Sequence, residues 1–223
     1  MTRLTADSEE FALEKLHELG CTDGLPVIVP SEDRVDRMIL ASGFDADSVL
    51  GKMGPAFGIA TIEKVATAAV MAGCLPDYMP VVVAAVKAIL DPAFDLAEMQ
   101  STTHCTAPLI IVNGPARFDC GPIASGFGAL GPGHRANATI GRALRLAMIN
   151  IGGGRPGISD MALLGHPGKF TFCLAEDEES SPFKAMHEDR GFKPNDSVVT
   201  CLLYTSDAAD EGLGVDLGGR RII

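Results

Sequence analysis

Along this chain, stretches with apolar residues at helical spacing alternate with short runs in which they are consecutive or alternate. Phe11, Leu13, Leu16 and Leu19 trace a first helix, with Asp7 and Glu10 placed as a reciprocal cap and Gly20 as its end. The consecutive apolar run Pro26-Val27-Ile28-Val29 predicts a short buried strand. Ser31 then caps a helix reaching Leu40, with Glu32 and Asp33 in the turn where the helix dipole favours acids. Residues 49–58 are rich in Gly and Pro and read as a loop. Thr61 opens IEKVATAAVMA, so rich in alanine that a second backbone must pack close against it, and Gly73 ends it. PVVVAAVKAIL is apolar on nearly every side except Lys87, with Pro80 tolerated in its first turn, and predicts a central helix.

The second half follows the same logic. Pro108-Leu109-Ile110-Ile111-Val112 suits a strand covered on both faces, and it runs straight into Asn113-Gly114-Pro115. Residues 120–133 form a Gly- and Pro-rich loop. In RANATIGRALRLAMINI, Ala136, Ile140, Ala143, Leu144, Ala147 and Ile151 then share one helical face, while Arg135, Thr139 and Arg142 share another. KFTFCLA alternates Phe170, Phe172 and Leu174 against Thr171, Cys173 and Ala175, the pattern of a half-buried strand. Residues 176–181 read as an acidic, solvated turn, Pro182 opens a short helix, and residues 197–200 begin a strand. With no repeat and no linker, residues 1–200 are expected to form one α/β (or α+β) domain, a mixed sheet covered by apolar helices.

Charge narrows the function classes. The net charge is −11, and residues 201–223 contribute four acids against two arginines, so −9 remains on residues 1–200. That excess of acid argues against nucleic acid or an anionic membrane as the main partner. No stretch resembles a signal peptide or a membrane span, so a cytoplasmic protein is expected. The cysteines outside the last segment, Cys21, Cys74, Cys105, Cys120 and Cys173, are widely spaced and contain no CxxC pair, unlike a zinc ribbon, a thioredoxin motif or a disulfide framework.

The C-terminal segment has a different texture. CLLYTS, DAAD and GVDLGGRRII resemble one reading frame through a transposase-based sequencing adapter, with residues 211–214 where a variable index would lie. Residues 201–223 are therefore expected to be non-native and to pack little against the body, and the natural chain to be truncated near Thr200.

Chemistry-bearing residues concentrate in GFGALGPGHRANATIGRALRL. Gly126, Gly128 and Gly131 satisfy GxGxxG, but no strand precedes them and Pro132 follows, so a dinucleotide site is rejected. What remains is a glycine loop that delivers His134, Arg135 and Asn137 to a helix start, where free N–H groups attract carboxylate or phosphate. Arg142, two turns on, is a candidate second contact. The alternative is that the glycines serve packing and the arginines sit in water. Asn113, beyond a strand end, is a candidate ligand contact or a tight-turn residue, and Asp23, in Thr22-Asp23-Gly24-Leu25-Pro26, is a candidate acid-base or substrate-orienting carboxylate or simply a turn residue. Cys74 follows a helix C-terminus, where the dipole raises a thiol pKa. His104 and Cys105 can pair only if residues 103–106 turn. His104, Cys105, Cys120, His134 and His166 lack the spacing of metal ligands, so no metal site is assigned and a metallohydrolase ranks last. The residues name no cofactor.

The order TDGLPVIVPSEDRV, TIEKVATAAVMAGCLPDYMPVV, LIIVNGP, GPGHRANATIGRALRLAMINIGG and GKFTFCLAEDEESSPF resembles a family of bacterial proteins associated with the UGSC-like (seleno)cysteine proteins. The resemblance spans about residues 21–200, and the UGSC motif itself is absent. It implies redox chemistry or cleavage of a carbon–heteroatom bond, with this domain as substrate-binding or catalytic partner of a (seleno)cysteine protein, and it draws attention to Cys74. The function expected is an enzyme, or a substrate-binding subunit of one, that holds a small anionic molecule at His134 to Asn137, with Asn113 and Asp23 orienting it and one thiol, Cys74 or Cys105, taking part in redox or lyase chemistry. A non-catalytic scaffold subunit is the alternative, and a homo-oligomer is expected.

Overall fold

The computed structural model describes residues 3–205. Its first helix, α1 (Glu9–Glu18), is capped by Ser8, whose side chain accepts from the Phe11 N–H at 3.1 Å, so Ser8 rather than Asp7 is the cap. Residues 26–29 have no regular secondary structure and form no strand. Pro26 and Pro30 remove donors at both ends, and a bond from the Ile28 N–H to Met71 O ties the segment to its neighbour. Helix α2 (Glu32–Ser42) follows Ser31 and stops at Gly43, φ +72°.

The expected loop over residues 49–58 is in part a hairpin, β1 (Val49–Met53) paired antiparallel with β2 (Gly58–Thr61). Gly58 is required there, since a Cβ would lie 2.1 Å from Ile151 O. Thr61 then precedes α3 (Ile62–Ala72), and Gly73 closes it at φ +92°. Helix α4 (Met79–Leu90) and the short α5 (Leu96–Ser101) lead to β3 (Thr106–Asn113). After α6 (Ala116–Asp119) and a long loop comes α7 (Arg135–Asn150), the longest helix described. The chain returns through β4 (Cys173–Ala175), α8 (Met186–Asp189) and β5 (Val198–Thr205). The last helix thus starts at Met186 and not at Pro182.

The main sheet has the order β4-β3-β5, with β4 parallel and β5 antiparallel to β3. The fold is therefore of the mixed α/β class. Helix α4 packs on β3 and β5, α7 on β4, and the alanine-rich α3 lies against α7, α2 and α4. Ile110, Cys173 and Cys201 are paired across the three strands, and all are buried in the core with Ile62, Met79, Ile140 and Leu144.

Two expectations need correction here. In β4 the buried side chains are Cys173 and Ala175, while Phe170 is exposed, so the small residues of the alternation face inward. They do so because α7 approaches closely: a Cβ on Gly141 would lie 2.5 Å from the Phe172 nitrogen. The second correction concerns the C-terminal segment. β5 runs through residues 201–205, pairing Cys201 with Ile110 and Thr205 with Thr106, and Cys201 is fully buried with its thiol directed to Ala85 O. The expected lack of packing does not hold for those residues, because the inner strand β3 takes its second set of hydrogen bonds from them. Residues 206–223 lie outside the described part.

Candidate functional site

Helix α7 starts at Arg135, with His134 extended at its N-cap and making no side-chain cap. The His134 ring instead reaches the carbonyl of Phe127, Nε2 to O 3.3 Å. Gly128 and Gly133 have φ of +70° and +116°, so the loop between residues 126 and 133 uses backbone that other residues adopt only under strain. Asn137 holds that loop. It is 3% exposed, its Oδ1 accepts from the Ala124 N–H at 2.8 Å, and its Nδ2 donates to Ala124 O and Ala129 O at 2.9 and 3.1 Å. The amide is thus committed to the loop, while Arg135 remains on the exposed surface. Nε and Nη2 of Arg135 donate to Gly73 O, joining the α7 start to the α3 end, and no carboxylate oxygen lies within salt-bridge distance among the described residues.

Cys74 sits behind this helix start. It is buried, and its thiol donates to Thr139 O at 3.3 Å. Burial pushes its pKa up from 9.0 to about 12, more than the Thr139 bond and the Arg135 charge pull it down. At neutral pH the group is a thiol and a hydrogen-bond donor. The same burial raises Tyr78, whose ring is also within the field of Arg135.

Arg142 and Asp23 do not converge on an open site. They form a two-point pair with each other, at 2.7 and 2.8 Å, and Arg142 also donates to Leu25 O and Pro26 O. This pair fastens the N-terminal segment to α7. His104 lies exposed in a bend over residues 102–104 and Cys105 is half-buried before β3; the bend stops short of Thr106, the first residue of that strand, so the turn through residues 103–106 that a pair would need is not formed.

Asn113 lies in a polar cluster that the sequence did not reveal. The turn after β4 folds over the end of β3, so that Asn113 Nδ2 donates to Glu176 and Glu178 at 2.5 and 2.9 Å, and the Gly114 N–H donates to Glu178 at 2.8 Å. Arg117, 6% exposed, joins it: Nη1 and Nη2 meet Glu179 at 2.8 and 2.7 Å, Nη2 meets Glu178 at 2.9 Å, and Nη1 donates to Glu176 O. His187 is fully buried with Nδ1 3.9 Å from Glu178. The acidic run is therefore no solvated turn as a whole, although Glu179 itself is exposed. A signal for this existed: two parallel strands that end side by side bring NGP and the acids after β4 together. Three carboxylates against one guanidinium make this end of the sheet unsuited to an anion. Among the described residues no group of three or more His, Cys, Asp and Glu side chains is arranged to hold a metal ion.

No protein-family model, no curated protein and no solved structure matches this chain. Among the described residues no helix is long and apolar enough to cross a membrane.

Proposed function

We propose that this chain is an enzyme, or the substrate-binding subunit of one, that takes a small anionic molecule at the start of α7. The observation that carries this reading is the pairing of an uncapped helix start with Arg135, which is exposed and has no carboxylate partner among the described residues. The helix is 16 residues long, so its first-turn N–H groups carry the full partial charge of a helix end. Asn137 ties the preceding loop to this helix start through three hydrogen bonds, which supports a site ordered before a ligand arrives. Acetate and inorganic phosphate are the probes: calorimetry is expected to show binding to the full chain and its loss in Arg135→Ala. Equal affinity in the folded variant would sink the reading.

The chemistry follows from the resemblance to UGSC-like proteins and takes the form of thiol- or selenol-linked redox or lyase chemistry. With its pKa at about 12, Cys74 is a poor resting nucleophile. The attacking thiol or selenol in this reading belongs to a partner (seleno)cysteine protein, and Cys74 supports the Arg135 end of α7 from behind.

A second reading, a scaffold subunit of a homo-oligomer, is favoured by a different observation. Phe127 is 104% exposed and Leu164 95%, and Leu163 and Phe183 are nearly as open. Open apolar side chains of this size offer a second chain surface to bury.

A further inference from the structure

We infer that the chain binds one small monovalent anion at Arg145, with its charged atom in the cavity that this side chain lines between α7 and the segment before β4. Arg145 projects from the third turn of α7 and is 8% exposed. Among the described residues its guanidinium makes one hydrogen bond, from Nε to Lys169 O at 2.5 Å, and no carboxylate oxygen lies within 4.0 Å of it. Asp160 is the carboxylate whose charge acts on it, and that carboxylate is already bonded to Lys169, so two cations share one counter-charge. A buried cation so incompletely matched is costly, and an anion would relieve it.

The surroundings define that anion. The cavity is lined by Arg145, Gly141, Leu144, Gly168, Lys169 and Phe172, and its volume of about 10 Å³ is room for one water-sized group. The Lys169 ammonium is already matched by Asp160, at 2.7 and 2.6 Å from its two carboxylate oxygens. His166 takes the Gly168 N–H on Nδ1 at 3.1 Å, and burial together with the Lys169 and Arg145 charges holds its pKa below the ordinary range. Arg145 and Lys169 against the one carboxylate of Asp160 leave a single positive charge beside the cavity. One charge and one atom of space select a halide, or one oxygen of a small carboxylate, over a hydrated phosphate dianion. Leu144 and Phe172 add apolar wall, which favours a weakly hydrated ion.

This position is distinct from the helix start. Ten residues of helix separate Arg145 from Arg135, about 15 Å at the usual rise, so failure at one leaves the other standing.

Excess broadening of the chloride-35 NMR line by the full chain tests the proposal. Chloride is expected to show saturable broadening that falls about tenfold or more in Arg145→Met, a loss in keeping with one charge-assisted contact. Formate added to the wild type separates the two sources of the charged atom. Displacement of chloride by formate assigns the cavity to a carboxylate oxygen, and persistence of the signal assigns it to a halide. Unchanged broadening in a folded Arg145→Met chain overturns the proposal. Should that variant not fold, bromide-soaked crystals of the wild type give a direct reading: an anomalous peak against the Arg145 guanidinium supports the site, and its absence overturns it.

Discussion

At the scale of single residues, the thiols decide what this protein does at high pH. Cys74 and Cys201 are both held protonated by burial to about 12, and Cys173 is pushed up further, with Cys201 and Cys74 adding to the effect. Unfolded, the same groups would titrate near 9.0. Folding therefore keeps protons that the unfolded chain releases, and the stabilisation, full below that pH, is lost as pH rises toward 12. The expected slope is about 1.4 kcal/mol per pH unit for each thiol. Urea unfolding followed above pH 9 should show a steeper decline for the wild type than for Cys74→Ala and Cys201→Ala, and identical slopes would count against it. Residue-level legibility was uneven. His134 and Arg135 could be read because loop and helix start are adjacent in sequence. The Asn113, Arg117 and Glu176 to Glu179 cluster was missed, because its members meet only once β3 and β4 are placed side by side. Asp23 and Arg142 each had the look of a ligand contact, and only the fold shows that they satisfy each other.

Among the elements, those whose pattern is long and self-contained were legible. Helices α3, α4 and α7 combine an extended apolar face with a glycine, a turn or a proline at the right end, and their observed spans follow the prediction closely. The β1–β2 hairpin was hidden because Gly51, Gly54 and Gly58 interrupt the period that marks a strand. In β4 hydrophobicity pointed one way and space the other, and the closeness of α7 won. β5 carries the sharpest consequence. Residues 201–205 pair with residues 106–110 of β3, so a chain ending at residue 200 leaves half of an inner strand without its partner. Relative to a chain ending at residue 205, it is expected to lose about 3–5 kcal/mol from hydrogen bonds and buried surface, a fall in melting temperature on the order of 10 °C. Its bared edge should also promote aggregation. Differential scanning calorimetry of the two chains checks this, and equal melting temperatures would show that β5 contributes little beyond Thr200.

For the whole molecule, the acidic surface and the exposed apolar side chains act in opposite directions. A net charge of −11 keeps copies apart at low salt, while Phe127, Leu163, Leu164 and Phe183 reward association once the charge is screened. Mass photometry at low and at physiological ionic strength is expected to show oligomers growing with salt, and Leu164→Asp is expected to shift the population toward monomer. A monomer under all conditions would remove the scaffold reading.

The pairing of Asp23 with Arg142 also sets an order of assembly. The two residues are 119 positions apart, and α1, which has no buried residue of its own, precedes the first of them. On a ribosome adding about 5–20 residues per second, the N-terminal segment emerges roughly 6–24 s before the arginine that fastens it has been made. For that interval this part of the chain is without its clasp, so the step that fastens it waits until α7 has been made.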